Sequence, residues 1–254
     1  MQAVLNDPNN DAPRLKYAHG CELQFEEVMK ARAQFIRTQV SLVNNVNAMS
    51  YEDWFDASHI DENLRTTYGK DWVGKLDTLI DEYTFDRGFV ACVAMPAVNF
   101  LHSANQIYSL TPIQHLKLTE VLPYIDELFA SPYLNNVISL DIDRCDLGDN
   151  HIKTLAESPV LQNLKWLSIA ENNLKLEGAD TLAASALSEQ LVYVNLYGNP
   201  EDPSGQYSTD NDLIMDSWLP ESGKQLEAKY GHLQWLRRDA ETIDDVVPNR
   251  FRLA

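Results

Sequence analysis

Three segments of the chain repeat at a fixed interval between residues 134 and 200. Each segment places an apolar residue in a strand-like run and a Cys or Asn five positions later. These pairs are Leu140 and Cys145, Leu167 and Asn172, and Val194 and Asn199, so that successive pairs are 27 residues apart. A fixed period constrains the fold, because one repeat cannot bury its own apolar face and must stack on its neighbours.

The spacing inside each segment follows L-x-x-L-x-L-x-x-(N/C)-x-L, which is the leucine-rich-repeat pattern. An earlier, looser copy runs from Ile113 to Val121, with Leu116 standing 24 residues before Leu140. The sequence therefore predicts an α/β fold: a short leucine-rich-repeat solenoid with a curved parallel sheet and helices on its convex side. An N-terminal helical cap completes the predicted architecture.

The region before the repeats has helical rather than strand-like periodicity. Apolar residues recur at three- and four-residue steps from Glu22 to Val43. Pro13 can open an earlier helix with Leu15, Ala18 and Cys21 on one face. Ser50 can cap a short helix, and a further helical piece is predicted from residue 71 to 79.

These patterns predict three parts: a helical companion or capping domain at residues 1–84, a repeat domain with its C-terminal cap at 85–236, and a tail at 237–254. Within the second part, residues 89–95 read as a strand and 98–108 as a helix. At its end, residues 219–230 read as a helix and 233–236 as a last edge strand.

The formal net charge of −18 narrows the range of partners. Phosphates would be repelled, so we expect no nucleic-acid binding, and a basic protein partner is favoured. No apolar run of about 18 residues and no secretory signal are visible, so we expect no membrane contact and a cytoplasmic location. Three widely spaced cysteines favour a reducing compartment over a disulfide framework or a zinc site.

Strand side chains alternate between two faces, so each repeat turns its leucines inward and the residues between them outward. The outward positions combine aromatic and acidic residues, as protein-binding hot spots do. The predicted partner-binding residues are Asp141, Asp143, Trp166, Glu171, Tyr193, Asn195 and Tyr197. The alternative is that helix or loop residues cover these aromatics, which would then belong to the core.

Asn172 and Asn199 have a separate predicted role. They stand where the chain turns out of a strand, and an Asn side chain there can satisfy backbone groups that the turn leaves unpaired. We therefore predict that both are structural, and that Cys145 is a packing residue at the equivalent position.

Motifs for catalysis, metal binding and cofactors are not found. Asp141, Asp143, Asp146 and Asp149 form the densest acidic group, but a calcium loop starting at Asp141 would need Glu at its twelfth place, which is Ile152. The six histidines show no paired ligand spacing, and no nucleophile elbow or phosphate loop is present. We expect no catalytic residues, no metal and no cofactor.

Two segments near the N-terminus carry a family resemblance. They are Asp11-Ala12-Pro13-Arg14-Leu15-Lys16-Tyr17-Ala18 and Arg32-Ala33-Gln34-Phe35-Ile36-Arg37-Thr38-Gln39. They closely resemble the motifs D-A-P-R-L-x-Y-A-D-W-L and R-A-E-F-I-R-x-Q of the bacterial repeat-companion domain, which precedes leucine-rich repeats. The resemblance extends from about residue 5 to 236 and implies a repeat scaffold for protein contacts; it implies no catalytic activity. His19-Gly20-Cys21 departs from the family's Asp-Trp-Leu, so we expect the first helix to end early.

Together these observations predict a non-enzymatic protein–protein interaction module that binds a basic partner on its concave face. One specific version is an acidic inhibitor or immunity protein that neutralises a basic toxin effector, with electrostatic steering to speed capture. A structural, self-assembling scaffold domain is the alternative from another class, and a hydrolase built on loops is the third.

Overall fold

The computed structural model describes residues 1–45, 47–204 and 219–237. These residues confirm the predicted α/β class, with a six-stranded, mostly parallel sheet. The chain divides into two compact units, Met1–Val93 with Asn105–Ile113 and Ala94–Ala104 with Gln114–Ala254. We call them the first and second unit and describe each by itself.

Helices dominate the first unit. Their bounds are α1 Gln2–Asn6, α2 Asp11–Glu22, α3 Glu27–Asn44 and α4 Tyr51–Val73. The predicted helix from Glu22 starts five residues late, because α2 continues through His19-Gly20-Cys21 to Glu22 instead of ending early. The two helical pieces predicted after Ser50 are one helix, α4, followed by a 3₁₀ segment at Gly74–Thr78. Ser50 caps α4 as predicted, since its Oγ accepts the backbone N–H of Asp53 at 3.1 Å.

A tight hairpin follows the helices. Strand β1 covers Glu82–Asp86 and was not predicted, whereas β2, at Phe89–Pro96, confirms the predicted strand. The two connecting residues, Arg87 and Gly88, both have positive φ, at 45° and 84°. A two-residue hairpin loop of this kind requires left-handed backbone, which explains the glycine. The Gly88 N–H donates to Gln39 Oε1 at 2.6 Å, and a Cβ at position 88 would overlap Ile36.

Two arginines are buried inside the first unit, which the helical pattern did not predict. Arg14 is fully buried and donates to the backbone oxygens of Pro8, Asp86 and Arg87 at 2.7, 3.3 and 3.3 Å. The predicted α2 face of Leu15, Ala18 and Cys21 is therefore wrong at Leu15, which is 39% exposed. Position 14 points inward instead, because its guanidinium donates to backbone carbonyls of Pro8 and of the hairpin.

Arg32 lies among aromatic rings. Its guanidinium carbon is 4.9 Å from the centroid of Trp72, 5.2 Å from that of Phe89 and 5.6 Å from that of Phe85. Ring faces attract a cation electrostatically, so they stabilise this charge in place of a carboxylate. Burial nevertheless lowers the pKa of Arg32 to about 10.

The four strands of the second unit are short and parallel. They are β3 His115–Thr119, β4 Ser139–Asp141, β5 Trp166–Ser168 and β6 Tyr193–Asn195. Leu116 aligns with Leu140, Leu140 with Leu167, and Leu167 with Val194. The equivalences read from the 27-residue period are therefore confirmed in the strand register. All four side chains are buried in the core.

The helices around these strands are mostly short. They are α5 Ala97–Leu110, α6 Ile125–Ala130, α7 Asp149–Ala156, α8 Leu176–Ala183, α9 Glu221–Tyr230 and α10 Gln234–Arg237. Three 3₁₀ segments lie at Leu122–Tyr124, Pro132–Asn136 and Ala186–Glu189. Helix α5 confirms the helix predicted at 98–108, and the division between the units falls inside β2 and inside α5. Helix α9 confirms the helix predicted at 219–230 but starts two residues later, and Gly231, with φ at 85°, follows its last residue.

The predicted last edge strand at 233–236 is wrong, because residues 234–236 belong to α10 and Leu233 immediately precedes it. Leu233, Trp235 and Leu236 are all buried, and one helical turn can bring residues three apart to the same side. A strand would instead turn Leu233 and Leu236 to opposite faces. The Trp235 indole N–H donates to Ser188 Oγ at 2.8 Å, which anchors the turn. Apart from Arg237, the predicted tail at 237–254 lies outside the described residues.

Candidate functional site

The predicted partner-binding residues come from three adjacent strands and the turns that follow them. In the sheet register Ser139 aligns with Trp166, and Trp166 with Tyr193. One pleat further along, Asp141 aligns with Ser168, and Ser168 with Asn195. We call the side of β3–β6 that carries these alternate side chains the strand face.

The aromatic residues of the strand face differ in exposure. Trp166 and Tyr193 stack with ring centroids 5.3 Å apart and planes 16° from parallel. Trp166 is enclosed, with 8% of its surface exposed and its indole N–H without a hydrogen-bond partner among the described residues. Tyr193 is half-buried and Tyr197 is 39% exposed. Trp166 is therefore covered, as the alternative interpretation predicts, whereas the two tyrosines keep part of their surface exposed.

The acidic residues of the strand face are held by hydrogen bonds. Asp143 Oδ1 accepts the Ser168 hydroxyl at 2.6 Å and the Ala170 N–H at 2.7 Å. Asp141 Oδ1 accepts the Asp143 N–H at 3.0 Å. Both carboxylates are half-buried. Their positions are therefore fixed before any partner arrives.

Burial dominates the electrostatics of the two carboxylates. It raises the pKa of Asp143 to about 6, and the neighbouring negative charge of Asp141 adds to this effect. Burial also raises the pKa of Asp141, opposed by its hydrogen bond from the Asp143 N–H and by the charges of Lys117 and Arg144. Desolvated carboxylates of this kind gain more from a nearby cation than exposed ones do.

Ser168 connects the acidic and amide residues of the face; the strand pattern predicts an outward position for it but not a binding role, and it is buried. Its hydroxyl donates to Asp143 and accepts the side-chain N–H of Asn195 at 3.0 Å. Asn195 Oδ1 in turn accepts the Tyr197 N–H at 3.2 Å. A continuous chain of hydrogen bonds therefore runs from Asp143 across β5 to Tyr197. A small hydroxyl residue on an outward strand position was the only sequence signal for this link.

Glu171 lies at the edge of the face in an exposed ion pair. Both of its oxygens accept from Arg144, at 2.6 and 2.9 Å, in a two-point contact across neighbouring repeats. The Arg144 side chain is 74% exposed and that of Glu171 40%. Such exposed pairs contribute little to stability.

The strand-exit turns share a backbone conformation that the sequence pattern did not reveal. The same repeat position has positive φ in four successive turns, at Glu120 (54°), Arg144 (55°), Glu171 (50°) and Gly198 (71°). Only Gly198 has the residue type that favours this region. The turn projects the charged side chains of the other three positions outward, which is why Arg144 and Glu171 meet.

The two predicted structural asparagines have the predicted role. Asn172 Oδ1 accepts the N–H groups of Cys145 and Leu147 at 2.9 and 3.0 Å, and its amide donates to the carbonyls of Ile142 and Ala170, both at 3.1 Å. Asn199 repeats two of these contacts one repeat later, with Leu174 N–H and the Ile169 carbonyl, and donates in addition to the Leu196 carbonyl. At the equivalent position, the thiol of Cys145 is buried 3.5 Å from the Leu118 oxygen.

Three further findings bear on the range of functions. Among the described residues, no group of three His, Cys, Asp or Glu side chains is arranged to hold a metal ion. In the same part of the chain, no helix has the length and apolar content that a membrane crossing requires. Comparisons with family models, curated proteins and solved structures find no match to this chain.

Proposed function

We propose that the chain is a non-enzymatic protein-binding module that uses its strand face to bind a basic partner protein. The observation that carries the proposal is that two half-buried carboxylates, Asp141 and Asp143, share the strand face with the partly exposed Tyr193 and Tyr197, with Asp143 linked to the Tyr197 backbone through Ser168 and Asn195. Interfaces commonly combine aromatic anchors with charged groups in this way.

The electrostatics of the face favour a cationic partner. The raised pKa values of Asp141 and Asp143 mean that burial has already made their charged forms unfavourable. An incoming Lys or Arg would restore part of the lost stabilisation, whereas an acidic partner would increase the repulsion. The hydrogen bonds from Ser168 and Ala170 hold the acceptors in place, so little ordering of Asp143 is needed on binding.

We further propose that residues 85–236 form a short leucine-rich-repeat solenoid and that residues 1–84 are its companion cap. The aligned leucines, the two asparagines and the recurring left-handed turn support the solenoid. The cap proposal, with a bacterial repeat-companion protein as the family, rests on the motifs at residues 11–18 and 32–39. The three buried free cysteines agree with a cytoplasmic, reducing location.

The specific version of this proposal is an inhibitor or immunity protein against a basic toxin effector. The net charge of −18 supports it, because a large charge of one sign steers an oppositely charged protein to the surface. Expression of the neighbouring gene alone provides a direct test. The proposal predicts arrested growth that is rescued by this chain; a harmless neighbour contradicts the toxin version and leaves the binding version standing.

The binding proposal is tested by changing Tyr193 and Tyr197 to Ala in the full chain and measuring recovery of co-purifying proteins from the native cells. We expect the partner recovered with the wild type to fall at least about tenfold, since buried aromatic anchors carry much of the affinity of an interface. Trp166 is left unchanged because it is enclosed, and its loss would disturb the fold.

The matched control is a double change of Tyr124 and Tyr133 to Ala, two half-buried tyrosines of the second unit outside β3–β6. This variant should recover the partner as the wild type does. Equal recovery by the Tyr193 and Tyr197 variant, with unchanged circular dichroism, would contradict the proposal. Self-association that buries the strand face, seen by light scattering, would favour the scaffold alternative.

A further inference from the structure

The first six residues of α4, Tyr51 to Asp56, all have exposed side chains, and half-buried side chains begin at Ala57. The two buried residues of α4 are Gly69 and Val73, near its end, so no residue from Tyr51 to Tyr68 is buried. An isolated stretch of this length gains little from helix propensity alone, and most helices are stabilised by packing one face. A helix surface without such packing is normally polar, so apolar side chains on it indicate a binding surface.

This surface is not fully polar. Tyr51, Trp54 and Phe55 are 75%, 41% and 45% exposed. Their spacing of three and four residues places them on one side of the helix. The rings are in contact, since the centroid of Tyr51 is 6.2 Å from that of Trp54 and 6.1 Å from that of Phe55. His59 extends the row, with its ring 4.3 Å from that of Phe55.

Exposed single aromatics are common, but a contiguous set marks an interaction surface more often than chance. Three adjacent rings offer a large apolar area at low entropic cost, because each side chain has only two rotatable bonds. We call the surface formed by Tyr51, Trp54, Phe55 and His59 the α4 patch.

The charge around the α4 patch is of one sign. Between residues 51 and 64 the chain has five carboxylates and no Lys or Arg. The carboxylates are Glu52, Asp53, Asp56, Asp61 and Glu62. Asp53 also contacts the capping Ser50, and Asp61 lies 3.8 Å from Arg65, which leaves Glu52, Asp56 and Glu62 as exposed flanking charges.

We propose that the α4 patch is a second protein-docking surface, which binds a cationic amphipathic helix of a partner. The apolar face of that helix would pack on Tyr51, Trp54 and Phe55, as in helix-in-groove recognition. Its Lys or Arg side chains would face Glu52, Asp56 and Glu62, and could also lie over the exposed ring faces. This surface belongs to the first unit and is separate from the strand face of the second.

Charge complementarity selects this occupant over the others. A second copy of the chain would bring two acidic stretches together, and like charges across an interface are unfavourable. An anionic membrane surface would be repelled for the same reason. A helix with apolar and cationic faces satisfies both the rings and the carboxylates.

The test uses the full chain and a synthetic Leu/Lys amphipathic helix of about 18 residues as the probe, with a Leu/Glu helix of the same pattern as its charge-reversed counterpart. Isothermal titration measures the affinity of each peptide. We expect the Leu/Lys peptide to bind, the Leu/Glu peptide to bind at least about tenfold more weakly, and added salt to weaken the first.

The deciding variant changes Tyr51, Trp54 and Phe55 together to Ala, which is a good helix former and preserves α4. Its affinity for the Leu/Lys peptide should fall at least about tenfold. The matched control is Phe25→Ala, which removes a 98% exposed ring from the same unit and should not change the affinity. The Tyr193 and Tyr197 double variant should also bind normally, which separates this surface from the strand face.

Several results would overturn the proposal. One is wild-type affinity in the triple variant, because the peptide would then bind elsewhere. Another is no binding of the Leu/Lys peptide at up to about 1 mM, the weakest affinity that a specific site of this size would have. A third is concentration-dependent dimerisation that the triple variant abolishes, since the occupant would then be a second copy.

Discussion

The two units differ in how side chains form hydrogen bonds with backbone groups outside the helices and strands. In the first unit one buried cation, Arg14, collects carbonyls from two segments that are far apart in sequence, at Pro8 and at residues 86 and 87. In the second unit neutral side-chain amides donate to backbone carbonyls, at Asn172 and again at Asn199. The first arrangement joins distant segments once, whereas the second ties each repeat to its neighbour.

This difference has a consequence for how each unit tolerates change. Loss of Arg14 removes one fully buried donor from three carbonyls at a single point where α2 meets the hairpin, and of these Pro8 O keeps a second donor in Arg87. Loss of one asparagine affects one inter-repeat step, and the other step retains its own amide. The first unit should therefore depend more heavily on one residue than the second unit does.

The strongest test of this comparison is Arg14→Ala. We expect a loss of about 4 kcal/mol in the free energy of unfolding, because the change removes a fully buried side chain that donates to three carbonyls and leaves a cavity in its place. Urea denaturation measures the loss, and hydrogen exchange locates it: exchange should accelerate in the first unit before the second.

The control for this prediction is Arg37→Ala, on the neighbouring helix α3. Arg37 forms an exposed two-point ion pair with Glu22, so its removal should change stability by less than about 1 kcal/mol. Equal losses for the two arginines would contradict the idea that Arg14 is the central tie of its unit.

The burial of Arg14 and Arg32 also shows what cannot be predicted from the periodicity of apolar residues. A pattern of apolar residues assigns Leu15 to the core and Arg14 to solvent, whereas the structure reverses both. The reversal depends on carbonyls of residues 86 and 87, which are more than 70 positions away and have no local signature. Likewise, Arg32 is held by rings from α4, β1 and β2, and nothing near it in sequence indicates that environment.

The corresponding test in the second unit is Asn172→Ala. Asn172 makes four hydrogen bonds to buried backbone groups, and the truncation leaves those groups unpaired. We expect a loss of about 3 kcal/mol. Asn199→Ala should cost less, about 2 kcal/mol, because Asn199 makes three such bonds and is less buried. A larger loss at Asn199, measured by the same urea denaturation, would contradict this ranking.

The second unit was largely predictable because the same strand pairing and the same asparagine contacts recur from one repeat to the next. The 27-residue period gave the strand register, the buried leucines and the function of both asparagines. The outward residues were also placed on one face, but their exposure could not be read from the pattern. Enclosure of Trp166 depends on what lies over it, and the raised pKa of Asp143 depends on burial and on the neighbouring Asp141.

That pKa makes a prediction about pH dependence. The pKa of Asp143 is about 6 in the folded chain against 3.8 in the unfolded chain. Between these pH values the Asp143 carboxyl keeps its proton in folded chains but has released it in unfolded ones. Stability should therefore fall as pH rises from about 4 to 6, through this group. Asp143→Asn should flatten that slope and stabilise the chain by about 1 kcal/mol at pH 7, since partial exposure and weaker hydrogen bonds reduce the full effect.

Thermal unfolding at several pH values measures this change, with Asp126→Asn on α6 as the control. Asp126 is an exposed carboxylate, so its replacement should leave the slope between pH 4 and 6 unchanged. A slope that persists in the Asp143 variant would mean that another group titrates there, and Asp141 would be the next to change.

The smallest expected effect concerns the turn after β5, where the residue type differs between neighbouring repeats. Glu171 holds a left-handed backbone that Gly198 holds without strain one repeat later. Glu171→Gly should relieve this strain, partly offset by the greater freedom of glycine in the unfolded chain, and raise the melting temperature by about 2 °C. Glu171→Ala is the matched control, because it removes the same contact with Arg144 but keeps a Cβ in the strained position. If the Ala variant melts as high as the Gly variant, the gain comes from the charge, and the turn's backbone is not a point of strain in the repeat.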